Sequence, residues 1–182
     1  MIISMSNLQR ISIALISSLF LYARPVHAQP ISMTLNSPAI FPGATIPAAF
    51  ACTGTDQSPA LSWSNAPQAT KSFALIVLDP DAPGGIFIHW VAYNIPARVI
   101  SLGSNVPQTA EIAGGGTQGI NGFGHIGYNG PCPPPGKMHH YHFRLFALDS
   151  TLTPGDNSAD AVESAMRGHV LATAELVGTF ER

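Results

Sequence analysis

Charge is scarce in this chain: Asp, Glu, Lys and Arg make up only 10% of 182 residues, with eight cations set against ten acids. A formal charge of −2 leaves no basic footprint for a nucleic-acid backbone, so nucleic-acid binding is not expected. Cysteine is scarce too. Cys52 and Cys132 stand alone, without the C-x-x-C spacing of a zinc or redox centre. The mostly apolar run over residues 11–22 is about half of the roughly 20 residues a bilayer span requires, so no membrane span is expected. Also missing are the G-x-S-x-G elbow of many hydrolases and the H-E-x-x-H helix of zinc peptidases. No serine has a visible base partner, so nothing names a nucleophile.

The apolar run follows Arg10 and leads to Val26-His27-Ala28, the layout of a secretory signal peptide cleaved after Ala28. The chain therefore reads as a leader over 1–28 and a single domain over 29–182, large enough to bury its own core. Removing Arg10 and Arg24 leaves six cations against ten acids, formally −4. The expected location is periplasmic or secreted. There Cys52 and Cys132 are expected to pair, with two independent buried thiols as the alternative. The bridge would tie the first loop region to the loop before His139, and closing so long a loop contributes on the order of 4 kcal/mol.

What the chain has in quantity is turn chemistry, with 17 glycines and 16 prolines, a composition that favours short strands over long helices. Residues 72–78 form a continuous apolar run that predicts a strand buried on both faces. Further strands are expected over 87–95, 140–148 and 171–180, with shorter ones over 31–35, 44–50 and 60–63. One short helix is expected over 158–167, stopped by Gly168. This pattern predicts a mainly β sandwich or barrel.

Polar residues gather where these strands begin and end. Asp79-Pro80-Asp81-Ala82-Pro83 closes the first long run, His89-Trp90 opens the next, and Gly130-Pro131 precedes His139-His140-Tyr141. Two aspartates among prolines are turn formers in their own right. Their recurrence beside imidazoles at neighbouring strand ends points instead to a small polar pocket for an anion. Strand periodicity puts His139, Tyr141, Phe143 and Leu145 on one face and His140, His142 and Arg144 on the other. It likewise groups His89 with Val91 and Tyr93, and an antiparallel pairing would bring Asp79 beside His89 to fix its tautomer. Gly122-Phe123-Gly124-His125-Ile126-Gly127 matches a dinucleotide fingerprint in letters but neither follows an apolar strand nor opens a helix. It is read as a tight loop. Asp79, His89 and His139 could take up trace zinc, but no functional metal and no cofactor is expected.

In these motifs, together with Ser58-Pro59-Ala60-Leu61-Ser62-Trp63 and Gly168-His169-Val170-Leu171-Ala172, the chain resembles the phosphatidylethanolamine-binding protein family, and within it the bacterial branch similar to Raf kinase inhibitor protein. The resemblance runs from about residue 31 to 182. It implies a Greek-key β-sandwich with one short helix towards the C-terminus. It also implies that Asp79, Pro83, His89, Gly130, His139 and Tyr141 line a pocket for phosphate or a phospholipid head group. Asp79 would repel a bare anion, which makes a zwitterion such as phosphoethanolamine a suitable ligand. The expected function is non-catalytic binding of a small anionic or zwitterionic ligand, with modulation of a protein partner and a homodimer both left open. The alternatives are an inhibitor of a secreted or periplasmic hydrolase and a phosphoester or ester hydrolase.

Overall fold

The computed structural model describes residues 32–182, and the leader expected over 1–28 lies outside the described residues. In chain order the strands are β1 (Thr34–Asn36), β2 (Leu61–Ser64), β3 (Ser72–Asp79), β4 (Phe87–Pro96), β5 (Ser101–Leu102), β6 (Thr117–Gln118), β7 (His139–Leu148) and β8 (Val170–Phe180), with helix α1 (Ala159–Met166) between the last two. They form a five-stranded sheet in the order β6-β4-β3-β7-β8 and a three-stranded sheet in the order β1-β2-β5. The long return connection after β4 lays β7 beside β3, so β3 is flanked by antiparallel partners on both sides. This is the Greek-key sandwich that the motifs implied.

All eight residues of β3 are buried because both faces are covered. Phe73, Leu75 and Val77 pack in one core with Leu35, Leu61 and Trp63 of the small sheet. Ala74, Ile76 and Leu78 pack on the other side with Val162 and Met166 of α1. That double burial explains why residues 72–78 carry no polar alternation. The helix starts where Ser158 Oγ accepts a 3.2 Å hydrogen bond from the Ala161 N–H and stops before Gly168, whose φ of +82° suits a helix terminator.

Residues 44–50, expected as a strand, form only a parallel bridge from Thr45 to Thr179 before Pro47 opens a 3-10 turn over Ala48–Phe50. Proline has no N–H to continue a ladder, which ends the pairing there. The Cys52–Cys132 disulfide is formed across a sequence separation of 80 residues. No helix among the described residues is long and apolar enough to cross a membrane.

Candidate functional site

The site grows from the end of β3. The Asp81 N–H donates to Asp79 Oδ1 at 2.8 Å, closing an Asx turn that fixes the first carboxylate as the chain leaves the sheet. Asp81 in turn accepts from the His140 backbone N–H at 2.9 Å and from His140 Nδ1 at 2.7 Å. The bond from the His140 ring holds the Asp81 carboxyl below the usual carboxylate range. Next to it, His139 Nδ1 donates to Asp79 Oδ2 at 2.7 Å, with both side chains buried. The β-pairing dictates this contact, since β7 begins beside the end of β3.

Asp79 therefore orients His139 and not His89, which corrects the expected pairing. The reason lies in β4. Val77 opposes Trp90 while Leu78 opposes Ile88, so His89 is the extra residue of a β-bulge. The bulge breaks the period-2 pattern: Val91 and Tyr93 join the helix-side core, whereas the His89 ring packs edge-on against Tyr141 with centroids 5.2 Å apart. His89 Nδ1 lies 2.8 Å from the Asn129 carbonyl oxygen. A carbonyl only accepts, so Nδ1 carries the proton and Nε2 presents its lone pair. Burial pushes the His89 imidazole below its ordinary value, partly offset by that carbonyl and by the Asp79 charge, and the ring is neutral at pH 7.

Asn129 is held from behind. Its Nδ2 donates to Asp56 Oδ2 at 2.8 Å, and the next amide, Gly130 N–H, donates to Asp56 Oδ1 at 2.7 Å. The Gly130 amide is thus committed to Asp56 and is not free for an anion. Its glycine is required for a different reason: a Cβ there would lie 1.9 Å from the Phe50 carbonyl oxygen. The Gly-rich loop is tied by Asn121, whose Oδ1 accepts from the Phe123 and His125 amides and whose Nδ2 donates to the Gly127 carbonyl. That loop delivers Phe123 edge-on to Phe87, with centroids 4.8 Å apart.

The result is a cavity of about 180 Å³ lined by Asp79, Pro83, Phe87, His89, Phe123 and His139, and closed by Ala82 and Cys132 to Pro134. Four of the six residues singled out in the sequence, Asp79, Pro83, His89 and His139, line it directly. Tyr141 stands behind His89, and Gly130 sits in the wall behind Asn129. Tyr141 is 1% exposed, and its hydroxyl has no hydrogen-bond partner among the described residues. Burial first, and the Asp79 charge second, push this phenol well above its ordinary value, so it is a neutral hydroxyl.

Sequence reasoning missed Asp56, Phe87, Phe123 and the placement of Cys132 on the cavity wall. Asp56 has a φ of +52°, and it reaches Asn129 and Gly130 across more than seventy residues, which no local pattern announces. A larger polar cleft, about 330 Å³, is lined in part by Asp56 and Asn129 and contains no imidazole. Among the described residues no cluster of three His, Cys, Asp or Glu side chains is set to hold a metal ion.

The family model described as phosphatidylethanolamine-binding protein matches residues 36–181. A UPF0098 protein of Methanothermobacter thermautotrophicus is 45% identical over 152 residues, spanning 82% of this chain and 99% of the relative. A UPF0098 protein of Pyrococcus horikoshii is 47% identical over 142 residues, spanning 75% and 71%. Among solved structures, the Chlamydia trachomatis homologue CT736 superposes with a TM-score of 0.75 at 40% identity, covering 83% of this chain and 98% of that one. Escherichia coli YbcL, described as a member of the mammalian PEBP family, superposes with a TM-score of 0.76 at 36% identity, covering 84% and 99%.

Proposed function

The chain belongs to the phosphatidylethanolamine-binding protein family, and from that premise we propose that it is an exported, non-catalytic binding protein whose cavity takes a small phosphate-bearing zwitterion. The observation that carries this reading is the Tyr141 hydroxyl, buried without a partner among the described residues, beside the Asp79 carboxylate and behind the His89 wall of the cavity. A buried polar group without a partner costs about 1–3 kcal/mol, and a ligand polar atom reached directly or through one water would recover that.

The charges favour a zwitterion over a bare anion. Asp79 attracts an ammonium group and repels a phosphate. His89 offers the Nε2 lone pair to a phosphate O–H, or an N–H donor once it takes up a proton. A ligand that places its ammonium towards Asp79 and its phosphate towards His89 satisfies both groups. The cavity volume of about 180 Å³ suits a head group of this size. Export is supported by the leader pattern of 1–28 and by the Cys52–Cys132 bridge. The absence of catalysis is supported by the lining, where the one cysteine is held in the disulfide and no serine or threonine stands beside an imidazole.

Isothermal titration calorimetry with phosphoethanolamine and inorganic phosphate tests this, using the protein and its Asp79→Asn variant. The wild type is expected to favour phosphoethanolamine. Asp79→Asn keeps an oxygen acceptor for His139 while removing the charge, and should weaken phosphoethanolamine binding about tenfold, equivalent to about 1.4 kcal/mol. Equal affinity for the two ligands in both proteins, or no binding, would overturn the zwitterion reading.

A further inference from the structure

We propose that Asp56 is a positioning residue for the cavity: acting through Asn129, it keeps the His89 proton on Nδ1 and so leaves Nε2 unprotonated for the ligand. The proposal rests on the head-group reading above for what that ligand is, but its geometry stands without it. Asp56 lies outside the cavity lining. Both of its carboxylate oxygens are committed to one short segment, Oδ2 to the Asn129 side chain at 2.8 Å and Oδ1 to the Gly130 amide at 2.7 Å. These two bonds pin the peptide unit between Asn129 and Gly130. The oxygen of that same unit is the acceptor for His89 Nδ1. A rotation of the peptide would remove the acceptor and free the proton to move to Nε2.

The segment that carries Asp56 is itself clipped to the 129–132 loop. The Cys52 N–H donates to the Pro131 carbonyl at 3.1 Å, the Cys52–Cys132 disulfide joins the same stretch, and Gln57 N–H donates to the Ala49 carbonyl at 3.2 Å. Asp56 adopts φ +52°, a left-handed conformation that Asp and Asn tolerate better than other side chains. A left-handed residue that commits one carboxylate oxygen to the Asn129 side chain and the other to the following amide does more than close a turn. Outer partners of this kind fix the tautomer of a working histidine just as they do for metal-bound histidines.

The groups that bear on His89 come from four directions. Asp79 at the end of β3 and Asp56 behind Asn129 supply negative charge, Tyr141 of β7 packs on the ring, and His139 shares the cavity. Among these, Asp56 alone acts through the Asn129 carbonyl.

The test is ¹⁵N NMR of the His89 ring in the wild type and in Asp56→Asn, which keeps the left-handed backbone but turns an amide NH2 towards one of the two donors. In the wild type the neutral ring is expected to show the Nδ1–H tautomer. In Asp56→Asn its two nitrogen resonances should move towards each other as the Nε2–H form gains population. The midpoint of the His89 titration should also fall, because both the acceptor and a nearby negative charge are weakened. Asn129→Ser keeps the carbonyl and the Gly130 amide bond to Asp56 while removing the side-chain link to Asp56, together with the Asn129 Oδ1 contacts to Asn121 and His125, and should shift the resonances in the same direction by less. A folded Asp56→Asn protein with wild-type His89 tautomer and titration would overturn the proposal, as would a response in Asn129→Ser opposite in sign. Phosphoethanolamine added to the same samples reads the pocket separately: if it leaves all His89 resonances unmoved, the head-group reading fails while the tautomer result still decides the role of Asp56.

Discussion

His139 Nδ1 lies 2.7 Å from Asp79 Oδ2, and neither side chain is more than 4% exposed. A buried pair of this kind depends on both members, because removing one strands the other in a medium that solvates it poorly. Asp79→Ala is expected to destabilise the fold by about 3 kcal/mol, with Asp79→Asn costing less because an oxygen acceptor remains. Urea denaturation of the two variants measures both. Equal and negligible losses would mean that the pair contributes nothing to the folded state.

His89 predicts a pH dependence. Its imidazole is held below its ordinary value, mainly by burial, so between that lowered value and about pH 6.5 the unfolded chain binds a proton that the folded chain does not. Stability should therefore fall as pH drops below about 6.5, and this residue should contribute no pH dependence above it. His89→Asn, whose Nδ2 can still donate to the Asn129 carbonyl, should flatten that acid limb. Denaturation midpoints at pH 7.5, 6 and 5 for both proteins give the comparison, and identical slopes would rule out His89 as the source.

Tyr141→Phe separates binding from folding. The hydroxyl has no partner among the described residues, so deleting it should leave stability unchanged or raise it by up to about 1 kcal/mol. Phosphoethanolamine affinity should fall about fivefold, corresponding to one lost hydrogen bond. A variant that binds as well as the wild type would show that the hydroxyl serves no ligand.

Much of the fold was legible because burial writes itself into residue choice. The run over 72–78 reads as doubly buried and is. His139 and Tyr141 share a face as their spacing requires, alternating with exposed or half-buried His140 and His142. The site was harder to read for a physical reason. A β-bulge leaves no mark in the sequence, so the turn of His89 towards Tyr141, and with it the true partner of Asp79, could not be read from alternation. Asp56 sits in a Gly-Thr-Asp stretch that carries no local signal, because its partners are distant in sequence and close only in the fold. Gly130, named among the pocket residues, lies outside the cavity lining. It matters for the Cβ it lacks and not for a free N–H. The two-residue strands β5 and β6 are too short to carry any pattern.

The Cys52–Cys132 bridge spans 80 residues, and replacing both cysteines with serine should cost about 4 kcal/mol in the chain-entropy account. Because Cys132 also forms part of the cavity wall, the loss should loosen the 130–134 segment before the sheets open. Hydrogen exchange resolved along the chain would detect that order. Uniform loss of protection would contradict it.

The most direct test of the head-group pocket is a two-dimensional NMR titration of the protein with phosphoethanolamine, repeated on His89→Ala. The account predicts saturable shifts centred on Asp79, His89, Phe123, His139 and Tyr141 that vanish in the variant. An absence of shifts at millimolar ligand, or shifts of the same size in His89→Ala, would contradict it.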